Sequence, residues 1–83
     1  MDNVFLTSRS VTYAQRMERA LKRNGIFARI ERPEQEITER GCAYAVVISE
    51  TFLAEALEVL RYNGLPPVKV VAKELSGYKE IRI

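Results

Sequence analysis

Apolar positions recur along this chain with two periods, one of strand length and one of helix length. "NVFLTS" (3–8) is a short apolar run rich in strand formers that ends in polar residues, the pattern of a strand entering a turn. "SVTYAQRMERALKRNG" (10–25) follows with helical spacing. Tyr13, Ala14, Met17, Ala20 and Leu21 share one face, while Arg16, Arg19, Lys22 and Arg23 fall largely elsewhere. Ser10 stands where an N-cap is needed, and Asn24-Gly25 is a helix stop. In "IFARIE" (26–31), Ile26, Ala28 and Ile30 alternate with Phe27 and Arg29, which predicts a second strand ended by Pro33. "RPEQEITER" (32–40) is a polar loop, and "CAYAVVIS" (42–49) is an apolar run of strand length. "ETFLAEALEVLRYNG" (50–64) predicts a second amphipathic helix with Leu53, Ala56, Leu57 and Leu60 inward. After the stiff Leu65-Pro66-Pro67 connection, "VKVVAKE" (68–74) reads as a last strand, and "LSGYKEIRI" (75–83) as a further short strand or a tail.

The two helical segments echo one another. Residues 10–26 lie over 49–65 without a gap: Ser10 meets Ser49, Thr12 meets Thr51, Tyr13 meets Phe52, Leu21 meets Leu60, and Asn24-Gly25 meets Asn63-Gly64. Each copy is preceded and followed by a strand. A repeated strand–helix–strand unit of this size predicts an α+β sandwich of the ferredoxin-like βαββαβ type, a four-stranded antiparallel sheet of order 4-1-3-2 with two helices on one face. The 83 residues then form a single domain with its core over about 3–72.

Composition changes this picture little. Apolar residues are 47% of the chain and charged residues 29%, enough for a modest core and against disorder. The net charge of +2 is too weak to imply nucleic acid by itself. No apolar run approaches a membrane span, and the first residues lack a signal-peptide pattern, so a cytoplasmic protein is expected. There is no histidine and one cysteine, Cys42. That removes the commonest general base and metal ligand, an internal disulfide and a resolving thiol, so neither cofactor nor metal is called for.

The predicted topology gives Cys42 a setting. Strand 1 ends, helix 1 begins and strand 3 begins on one rim, so Ser8, Arg9, Ser10 and Thr12 should neighbour Arg40, Gly41 and Cys42. A helix N-terminus favours anions, a thiolate among them. Arg9 and Arg40 add positive charge, Gly41 allows close backbone approach, and the hydroxyls of Thr7, Ser8, Ser10 and Thr12 are donors. Against this, Glu31, Glu34, Glu36 and Glu39 crowd the preceding loop and oppose a thiolate wherever they approach it. A free cysteine opening an apolar strand is also an ordinary core residue.

The stretch "RGCAYAVVI", with "SVTYAQRMERALKRNGI" before it and "ALEVLRYNGL" after it, resembles a family of small bacterial and archaeal proteins described as selenium/sulfur carriers. Their shared feature is a Gly-Cys or Ser-Cys step at a loop–strand junction. The resemblance covers about residues 4–72 and is most specific at Arg40-Gly41-Cys42. It implies a carrier or relay that holds sulfur or selenium as a persulfide-type adduct on Cys42, with Arg40 and Gly41 as its setting. The partners implied are a cysteine desulfurase or other chalcogen donor and an acceptor protein. Such a carrier is a substrate rather than an enzyme. The alternative is a non-catalytic ligand-binding or protein-interaction module of the same topology, with Cys42 structural.

Other features point elsewhere only weakly. The arginines of helix 1 read as a solvated face or a dock for an acidic partner. Tyr13 and Phe52 read as core residues. Phe5 and Tyr44 occupy the strands that carry aromatics in RNA-binding sheets, but no matching motif surrounds them, so nucleic acid is not expected. An exposed edge strand, "IFARIE" or "YKEIRI", offers a route to a homodimer.

Overall fold

A computed structural model describes residues 3–33, 44–74 and 77–82. In chain order the described elements are β1 (Asn3–Ser8), α1 (Val11–Arg23), β2 (Arg29–Glu31), β3 (Tyr44–Ser49), a single 3-10 turn (Glu50–Phe52), α2 (Leu53–Tyr62), β4 (Val70–Glu74) and β5 (Gly77–Ile81). All neighbouring strands pair antiparallel, in the order β2-β3-β1-β4-β5.

The expected four-stranded sheet is therefore corrected to five. The extra strand comes from the C-terminal segment. It pairs with β4 along its whole length, from Glu74↔Gly77 to Val70↔Ile81. Gly77 has φ 137°, a region that glycine alone enters without strain. The strand is hard to read from sequence because Lys79 and Glu80, both exposed, sit in its middle. Its apolar contacts come from the flanks: Tyr78 packs on one face of the sheet and Ile81 on the other.

Period-two alternation sorts the strand residues between those faces. Val4 and Leu6 of β1, Val46 and Ile48 of β3, and Val70 and Ala72 of β4 are buried with Ala14, Met17, Leu21, Ala56 and Leu60 of the helices. Burying each large side chain of this kind contributes about 1.5–3 kcal/mol. On the other face Phe5, Ala45, Val47 and Val71 form a second, smaller buried cluster. Phe5 is buried there, and Tyr78 stands edge-on to its ring at 6.3 Å.

The repeat seen in the sequence appears as a shared way of ending a helix. Asn24 donates its side-chain amide to the Ala20 carbonyl at 2.9 Å, and Asn63 does the same to Val59 at 2.7 Å. The N–H of Gly25 donates to Lys22 and that of Ile26 to Leu21; Gly64 donates to Arg61 and Leu65 to Leu60. These paired bonds make a Schellman turn, in which the residue after the cap takes a left-handed conformation. Gly25 (φ 79°) and Gly64 (φ 69°) supply it. Ile26 and Leu65, both buried, then return the chain to the core.

Candidate functional site

The described residues of the site expected from the sequence lie where β1 passes into α1. Ser8 is the last residue of β1 and pairs across the sheet with Tyr44, the first residue of β3. The β2–β3 register runs Arg29↔Val47, Ile30↔Val46, Glu31↔Ala45. Its next step sets Arg32 beside Tyr44, and the Arg32 guanidinium stands 5.7 Å from the Tyr44 ring centroid, a cation–π distance. Ser8 and Tyr44 thus pair across β1 and β3, and Arg32, one residue past the end of β2, reaches the Tyr44 ring.

Hydrogen bonds hold the β1–α1 corner. Ser10 is extended (φ −142°, ψ 156°) and its Oγ accepts from the Tyr13 N–H at 3.1 Å, the geometry of an N-cap. The fully buried Ser8 braces that cap: its hydroxyl donates to the Ser10 carbonyl at 2.9 Å and accepts from the Ser10 N–H at 3.3 Å. Thr7, also fully buried, donates its hydroxyl to the Lys69 carbonyl at 3.2 Å. The Thr7 N–H donates to that same carbonyl, and the Val68 N–H donates to the Thr7 carbonyl, both at 2.9 Å. The end of β1 is thereby clamped to the chain entering β4. Tyr13 adds a further tie, donating its hydroxyl to the Pro66 carbonyl at 2.8 Å.

The residues expected from sequence separate accordingly. Arg9, Ser10 and Thr12 are exposed at the corner. Ser8 is beneath them, and its proton is engaged by Ser10 rather than offered outward. The Ser10 carbonyl receives the first helical bond, from the Ala14 N–H. The N–H groups of Val11 and Thr12 precede that ladder and belong to neither cap nor helix bonding. No acidic residue occupies the first turn of α1, so the partial positive charge of the helix start is not offset there. Arg40, Gly41 and Cys42 lie outside the described residues. Sequence reasoning missed Arg32, which it placed in the polar loop; the signal was available only through the β2–β3 register.

A model of the family described as "putative Se/S carrier protein-like" matches residues 3–72. The chain belongs to that family. The match takes in β1 through the middle of β4, including the β1–α1 corner and Cys42, and stops short of β5. No curated protein and no solved structure gives a significant match to the chain. Among the described residues no helix is long and apolar enough to cross a membrane.

Proposed function

We propose that the protein is a carrier or relay for sulfur or selenium that holds the chalcogen on the Cys42 thiol. The observation that carries this reading is membership of the Se/S carrier family over a span containing the chain's one cysteine. The geometry supports it from the described side: in sequence Cys42 precedes Tyr44 by two positions, and Tyr44 pairs with Ser8 beside the start of α1. Exposed Arg9, the cap of Ser10, exposed Thr12 and the first-turn N–H groups form an anion-favouring edge, which Arg40 and Gly41 extend in this reading. The scaffold is read as a ferredoxin-like βαββαβ core lengthened by β5.

The chemistry needs no cofactor. The Cys42 thiolate attacks the outer sulfur of a donor persulfide, R–S–SH. The donor S–S bond breaks, R–S⁻ leaves, and Cys42–S–SH forms with no net change of oxidation state across the pair. With a donor R–S–SeH the product is Cys42–S–SeH. An acceptor nucleophile then attacks the outer atom and Cys42 leaves as a thiolate. Donor and acceptor are proteins of the desulfurase and acceptor classes, and the protein turns over as their cytoplasmic substrate.

Alkylation of native protein by iodoacetamide across a pH series tests the thiol. The expected result is ready reaction at Cys42 with an apparent pKa below the free-cysteine value of about 8.5. Reaction only after denaturation would instead make Cys42 a structural residue of an interaction module.

A further inference from the structure

The sheet ends on two unlike edges. Among the described residues β2 pairs with β3 alone and β5 with β4 alone, so each has one edge that no described strand takes up. A free edge is a template for a further strand, and short length, proline and charge are the usual guards against that. β2 has all three: it spans only Arg29–Glu31, its two ends are charged, and Pro33 follows. Charges guard an edge, however, only where like meets like across the strands.

Two copies of a chain that join equivalent edges antiparallel are related by a two-fold axis. The axis sets one residue opposite itself and the residues on either side opposite each other. Centred on Ile30, it sets Arg29 of each copy opposite Glu31 of the other. Centred on Arg29 or on Glu31, it opposes identical charges. On β5 a centre at the charged Lys79 or Glu80 does the same. Arg29 and Glu31 already pair within β2, through Nε and Oε2, because they lie opposite Val47 and Ala45 on one sheet face. The Ile30-centred register keeps that pair and adds two across the axis. The four charges then alternate in sign around a ring, a network rather than an isolated exposed pair. The side chains are 46% and 40% exposed, so both are open to the added partner. On the other sheet face Ile30, half-buried against the core, meets Ile30 of the second copy. Continued past the ends of β2, the register brings Phe27, 68% exposed, opposite Pro33 of the second copy and covers its ring.

We propose that β2 joins β2 of a second copy of this chain, antiparallel and centred on Ile30, to make a homodimer with one continuous sheet. This surface is independent of whether Cys42 carries a chalcogen. The test is sedimentation velocity over a concentration series, with a thiol reductant present so that no disulfide contributes. Wild-type protein is expected to show a monomer–dimer equilibrium. Arg29→Glu makes both charges of β2 negative and Glu31→Arg makes both positive. Each variant alone is expected to associate about tenfold more weakly than wild type. Mixed in equal amounts, the two are expected to associate with each other to within about threefold of wild type, because every cross-strand pair is again of opposite sign. Phe27→Ser is expected to weaken association severalfold, and Lys79→Glu on β5 less than about twofold. Circular dichroism establishes that each variant is folded. A wild-type monomer at every concentration would overturn the proposal outright. Losses in the single variants that the mixture does not restore would overturn the register. A loss for Lys79→Glu equal to that of Arg29→Glu would overturn it in favour of the β5 edge or bulk charge.

Discussion

The two copies of the strand–helix unit end alike and begin differently. Both helices stop at Asn-Gly with the same side-chain and backbone bonds. At their starts, Ser10 caps α1 directly and is itself braced by buried Ser8. Ser49 instead accepts from Thr51 at 3.4 Å and caps a lone 3-10 turn, after which α2 begins with no side-chain cap. The charges differ as well: no acid lies in the first turn of α1, whereas Glu50 and Glu55 occupy the first turns of the second copy. The ends serve folding, since each turns the chain back into the core. The starts are free to diverge, and the one left open to an anion is the one beside the first residue of β3.

Substitutions at matched positions probe that contrast. The largest effects should be equal in kind: Leu21→Ala and Leu60→Ala, both at fully buried sites, should each cost about 2–5 kcal/mol by urea unfolding. Next, Gly25→Ala and Gly64→Ala should each cost about 1–2 kcal/mol, the expense of a left-handed conformation for a residue with a Cβ. An added Cβ meets nothing within 4 Å at either glycine, so backbone strain alone should set the value. At the starts, Ser10→Ala should cost about 1 kcal/mol, since it removes the direct cap of α1. No measurable loss there would break the reading of Ser10 as that cap. The smallest effect expected is at Arg32→Gln, below about 1 kcal/mol for an exposed cation–π contact.

Much of the fold was legible because burial follows period. Ala14, Met17, Ala20 and Leu21 were assigned inward from spacing and are buried, as are Ala56 and Leu60. The exceptions have local causes. Phe52 aligns with Tyr13 and was expected in the core, but the 3-10 turn that contains it breaks the helical phase and leaves it 37% exposed. Tyr13 is half-buried, its ring against the core and its hydroxyl on Pro66. The second strand is shorter than "IFARIE", with Phe27 outside β2 and exposed. β5 was obscured by its central charges. At the corner, the Ser10 cap could be read from residue type and position. The Ser8 brace and the Arg32–Tyr44 contact could not, since each depends on a register or a bend that no local pattern encodes.

The central claim is that Cys42 carries the chalcogen. Mass spectrometry after incubation with a cysteine desulfurase and cysteine, and in parallel with selenocysteine, tests it most directly. The account predicts a gain of one sulfur or one selenium atom, mapped to Cys42 and absent from Cys42→Ser. Protein that gains neither, in a mixture where an established acceptor is loaded, would contradict it.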